Sequence, residues 1–209
     1  YVPNKDNSIY RLRFRYKIGS LNDLKLPLAA QYIQFLGTDK KTSEQISKEF
    51  YKIASSFNIS SSEEYTTVTI EGLQENFEKA VKLYEDIVLN AKADDKALVA
   101  LKARMAKARK DAKLNKGAIM QGLTSYALYG SKNKFNNVLS DADLAAVTAQ
   151  ELVDKVKNLN NYEQTVIYYG PAAISELTSK LAPLHKVPAT FATASAPKVF
   201  KQVAQDKNQ

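Results

Sequence analysis

One histidine, His185, and no cysteine among 209 residues bound the chemistry this sequence can carry. Without cysteine there are no disulfides, thiolate zinc sites or cysteine nucleophiles. His185 sits in the Pro-bounded stretch "PLHKVP", far in sequence from any acidic pair, so neither a catalytic triad nor a histidine metal cluster can be built on it. It reads as a surface histidine. The carboxylate pairs Glu63 with Glu64 and Asp94 with Asp95 are adjacent in sequence and read as a turn and a helix start. "GTDKKTS", residues 37–43, lies between two helical patterns rather than after a strand, and so reads as a loop with a helix cap, not a phosphate loop. "NIS" at Asn58 matches a glycosylation sequon of a length that recurs by chance.

The formal net charge of +8 favours acidic partners, and its most ordered expression is "YRLRFRYKI", residues 10–18. In a strand, Tyr10, Leu12, Phe14, Tyr16 and Ile18 face one way and Arg11, Arg13, Arg15 and Lys17 the other. A single-strand nucleic-acid site needs rings and cations in one groove, so this alternation reads as core against a solvated or interfacial face. The cations Lys102, Arg104, Lys107, Arg109, Lys110 and Lys113 spread around a helix. Nucleic acid is therefore not expected as a partner.

The elements that must position these residues follow from periodicity. Hydrophobic residues make up 44% and charged residues 25% of the chain, which suits one large domain that buries roughly 70% of its unfolded surface. No run reaches the roughly 18 to 20 apolar residues of a membrane span. The first 19 residues predict a hairpin, with a turn at Asn4–Asn7 and a second strand ending at Gly19. A helix follows, capped by Asn22 or Asp23, with Pro27 in its first turn and Gly37 closing it at positive φ. Thr42 and Gln45 predict a capping box for a second helix, with Ile46, Phe50, Ile53 and Phe57 as its apolar stripe. "FNISSS" and "YTTVTIEG" predict a hairpin, and Phe77, Ala80, Val81, Tyr84, Ile87 and Val88 a third helix. Further helices are expected from Asp95 to about Asn115, from Ala118 to Tyr129, and from Asp141 and Thr148, the last with Glu151 completing a capping box. "EQTVIYYG" is the last strand and "PAAISELTSKLAPL" the last helix. The class is α+β: a mainly antiparallel sheet with helices packed on one face. Residues 1–184 form the domain, and the Pro-, Ala- and Thr-rich residues 185–209 a linker or wrapping tail toward a following domain.

The ordered series carries a resemblance: a strand ending in Gly-Ser, a helix ending in "FLGT", a capped helix running to "IASSFNIS", the strand "YTTVTIEGL", then "QENFEKAVKLYEDIV", and finally "YALYGSKNKFNNVLSDADLAAVTAQELVDKV" leading to "NYEQTVIYYGP". It resembles the insulinase/pitrilysin family of zinc metallopeptidases, which includes the mitochondrial processing peptidase. Active domains of that family carry H-x-x-E-H on the helix that ends in F-x-G-T, with two zinc ligands and a general base. Counted back from Phe35, Gly37 and Thr38, those positions fall on Leu28, Gln31 and Tyr32. Leu28 has no lone pair, Gln31 cannot take a proton from water, and a phenol with a pKa near ~10 is a poor neutral ligand. The family's third ligand, a later Glu, has no counterpart: no Glu lies between Glu85 and Glu151, and the region reads "MAKARKDAK".

The resemblance thus implies a non-catalytic domain with no catalytic or metal residues of its own. Zinc is expected in a different domain, and the partners are other domains of the same peptidase and a peptide or unfolded substrate. It further implies an internal domain that opens the second half of a long peptidase, with a bacterial periplasm or cell envelope as the setting. A stand-alone scaffold with a degenerate peptidase fold is the alternative, and a basic nucleic-acid-binding domain a more remote one.

Overall fold

The computed structural model describes residues 1–4 and 6–204. Lys5, in the expected first turn, and residues 205–209, at the end of the expected tail, lie outside the described residues.

The centre is β2 (Ile9–Tyr16), whose strict alternation buries Tyr10, Leu12, Phe14 and Tyr16 and exposes the residues between them. Around it stand β3 (Ser55–Ser61), β4 (Thr66–Leu73) and β5 (Gln164–Gly170), with the two-residue β1 (Val2–Pro3) at one edge. The sheet order is β1-β5-β2-β4-β3, and every pairing is antiparallel except β1 with β5. Helices α1 (Leu26–Tyr32), α2 (Ser43–Lys52), α3 (Phe77–Asn90), α4 (Asp95–Ala112), α5 (Lys116–Tyr129), α6 (Asp141–Ala146), α7 (Ala149–Lys157) and α8 (Ile174–Leu181) complete the chain. The sheet's buried side chains form one core with α1, α3 and α7, which leaves the Arg face of β2 open. This is the expected α+β class.

The expected N-terminal hairpin does not form, because β5 lies between β1 and β2. Asn4 explains the detour: its backbone N–H bonds Gly170 O, while its side chain bonds Asn7 and Ile9 O, fixing the chain as a wide turn. β2 also ends at Tyr16, short of Gly19. The second hairpin forms as predicted, closed by Ser62 N–H to Tyr65 O at 2.8 Å.

α1 has Lys25 at its N-cap and no side-chain cap; Asp23 Oδ1 accepts from Lys25 N–H instead, and Asn22 Oδ1 from Gly19 N–H. Pro27 falls in the first turn, where no helical N–H is needed. α1 tightens into a 3₁₀ turn (Ile33–Phe35) before Gly37, which does not adopt positive φ. Glycine is needed there for closeness, since a Cβ would stand 2.4 Å from Lys41 O. The positive-φ glycine is Gly130, at φ 69°, which ends α5. The Thr42–Gln45 box caps α2, but that helix stops at Lys52, and Phe57 reaches the core from β3. Asn115, expected near the end of α4, caps α5 by accepting from Ala118 N–H. Thr148 caps α7, while the Glu151 carboxylate turns away from the box to bond Lys25 Nζ.

Candidate functional site

The three residues that the resemblance sets at the motif positions, Leu28, Gln31 and Tyr32, lie on α1 and separate into two groups. Leu28 and Tyr32, one turn apart, are buried at 1% and 0% exposure, while Gln31 faces solvent. Leu28 belongs to the central hydrophobic core. Tyr32 reaches sideways: its hydroxyl donates to Asp94 O and accepts from Asp94 N–H, both at 2.8 Å. Asp94 in turn caps α4, its Oδ1 accepting from Lys96 and Ala97 N–H at 2.8 and 3.0 Å. Burial pushes the Tyr32 phenol above its ordinary range, offset in part by the bond from Asp94. A phenol thus joins α1 to the start of α4.

The loop beyond α1 is fixed to the same place. Lys92 N–H bonds Gly37 O at 3.0 Å, Thr38 N–H bonds Lys41 O at 2.8 Å, and Thr38 bridges Ala91. The donor set does not fit zinc: an alkyl group, an exposed amide and an engaged phenol offer neither two imidazoles nor a carboxylate. Among the described residues, no three His, Asp or Glu side chains come together as a metal cluster.

His185 departs from its reading as a surface residue. It is 7% exposed, stacked on Phe14 with ring centroids 4.0 Å apart. Its Nδ1 lies 2.7 Å from Glu85 Oε1 and its Nε2 3.0 Å from Gln164 Oε1. Glu85, on the buried face of α3, is itself 8% exposed. The Pro- and Ala-rich composition around His185 gives no sign of this; the carboxylate on α3 among Val81, Tyr84 and Val88 does, because a buried charge needs a partner. Beyond His185 the chain runs back over the fold, with Ala192 N–H on Asn161 O, Lys198 N–H on Leu21 O and Val203 N–H on Leu128 O.

The open face of the sheet is the other chemically distinctive surface. Arg11 Nε bonds Glu71 Oε2 at 2.8 Å, Arg15 lies 3.7 Å from the centre of the Tyr65 ring, and Lys17 reaches Glu163 at 3.3 Å. Arg13, between them, has no ion pair or hydrogen bond among the described residues. α5 adds an apolar surface: Ile119, Met120, Leu123 and Tyr126 are exposed, and none of its residues is buried.

The model of the family described as Insulinase (Peptidase family M16) matches residues 30–142, more than half of the chain, beginning in the last turn of α1 and taking in the loop it enters. This chain belongs to that family. No curated protein matches the sequence significantly. Among solved structures, the fold is similar to the periplasmic protease PqqL from Escherichia coli (TM-score 0.78, 13% identity, 97% of this chain and 23% of that one). It is also similar to a peptidase M16 inactive domain from Pseudomonas fluorescens (TM-score 0.73, 18% identity, 94% and 51%). A third is the ferredoxin protease FusC, in complex with Arabidopsis ferredoxin (TM-score 0.74, 14% identity, 94% and 22%). The chain therefore spans about half or less of the length of these three proteins. No helix among the described residues is long and apolar enough to cross a membrane.

Proposed function

We propose that this chain is a non-catalytic domain of a zinc metallopeptidase that encloses peptide or unfolded segments while another domain holds zinc. The observation that carries the reading is the state of the motif positions: Leu28 and Tyr32 are committed to packing and to the Asp94 clamp, and Gln31 stands apart in solvent. Family membership and the likeness to an M16 inactive domain support it. The exposed apolar residues of α5 support docking against other domains of the same peptidase, since such a patch on a family that acts through several domains is suited to an interface. The likeness to a periplasmic protease favours a periplasmic or envelope setting.

The test is deletion of residues 1–209 from the complete polypeptide, with zinc content and cleavage of an unfolded protein measured together. Retained zinc with lost cleavage is expected. Lost zinc would move the metal into this domain, and unchanged cleavage would remove the enclosing role.

A further inference from the structure

Three arginines on the open face of the central strand and Lys17, just beyond its end, stand in line, and the middle two have no carboxylate partner among the described residues. Across β4, the register sets Arg11 against Glu71, Arg13 against Thr69 and Arg15 against Thr67; across β5, it sets the same residues against Tyr169, Ile167 and Thr165. The next strand continues the polar pattern, with Asn58 beside Thr69 and Ser60 beside Thr67. Among the described residues, only the ends of the row meet carboxylates, Glu71 at Arg11 and Glu163 at Lys17. Arg15 lies on Tyr65, which leaves its charge without an anion, and Arg13 has no partner among the described residues.

We propose that this face binds an acidic, extended polypeptide segment, with Arg13 and Arg15 as its charge-reading residues. The proposal rests on the reading of the chain as a substrate-enclosing domain and names the class of segment it selects. Charge complementarity is the argument. Alternate residues of β2 are about 6.8 Å apart, the repeat of same-side residues in any extended chain, so carboxylates at every second position of a segment meet successive cations. Guanidinium suits this task because its planar fork takes a carboxylate in two parallel hydrogen bonds. The central strand is held by ladders on both sides, so the Arg stems rise from rigid backbone. Thr67, Thr69, Thr165 and Asn58 supply neutral hydrogen-bonding groups beside the row without competing negative charge.

The experiment is fluorescence polarisation with the 209-residue chain and a labelled 12-residue peptide alternating Glu and Ser, at low and physiological salt. Saturable binding that weakens with salt is expected, with the Gln-Ser counterpart at least ~10-fold weaker. Arg13→Glu with Arg15→Glu lowers affinity ~10-fold or more, while Lys110→Glu with Lys113→Glu at the C-terminal end of α4, an equal change in net charge, changes it no more than ~2-fold. Matching thermal melts for both variants keep the comparison free of misfolding. Equal binding of the two peptides, equal loss from the α4 variant, or equal binding of a 12-nucleotide single strand each overturns the proposal. Such a failure leaves the enclosing role standing, because that role is read from zinc and cleavage in the deletion experiment.

Discussion

The Tyr32 hydroxyl joins α1 to the capping residue of α4, so Tyr32→Phe tests whether this side chain serves to hold the two helices together. The change keeps the buried ring and deletes the two 2.8 Å bonds to the Asp94 backbone. Each such bond contributes about 1 kcal/mol net, and more where the partner is left dry. Asp94 is exposed, so water can reach its freed N–H and C=O, which places the loss at about 1–2 kcal/mol. With a urea slope of about 2–3 kcal/mol/M, the midpoint falls by about 0.3–1 M with the slope unchanged. Hydrogen exchange should quicken first at the amides of Lys96 and Ala97, which the Asp94 carboxylate holds. Combining Tyr32→Phe with Asp94→Ala gives a loss smaller than the sum of the two, because both act on the same helix start. A midpoint unchanged within error, or fully additive losses, would refute the clamp.

Three other outcomes follow from the same structure. His185→Ala leaves the buried Glu85 side chain without its hydrogen-bond partner and costs about 1–3 kcal/mol, with faster proteolysis of the chain beyond residue 186; urea melts and limited trypsin digestion read both. Burial raises the phenols of Tyr10, Tyr16, Tyr32, Tyr84 and Tyr168, so they stay protonated in the folded state when the unfolded chain begins to ionise near pH 10. Their stability is therefore complete below that pH and is lost as pH rises toward the folded values, by up to about 1.4 kcal/mol per unit for each, visible as steep alkaline unfolding by circular dichroism. Gly37→Ala drives a methyl into Lys41 O and destabilises the α1–α2 turn by about 1–3 kcal/mol, read as a lowered melting temperature.

The parts of the fold that sequence made legible are those whose information is local. The β3–β4 hairpin shows in β-branched residues on either side of a polar turn, and the faces of β2 show in strict alternation. The Thr42–Gln45 box announces α2, although Phe57 continues its spacing by coincidence from a strand. What local pattern missed is long-range pairing. Two residues, Val2 and Pro3, cannot reveal that their partners are Tyr169 and Gly170, and a Pro-rich setting hides a histidine whose partner is Glu85, 100 positions away. On α1, the count from "FLGT" singles out Leu28, Gln31 and Tyr32 as a spacing, but only packing reveals that Tyr32 bonds the α4 cap.

The most direct test of the central claim is isothermal titration of zinc into the metal-free 209-residue chain at neutral pH. A domain whose motif positions are given over to packing takes up no stoichiometric zinc at submicromolar affinity. One equivalent bound at that affinity would contradict the account.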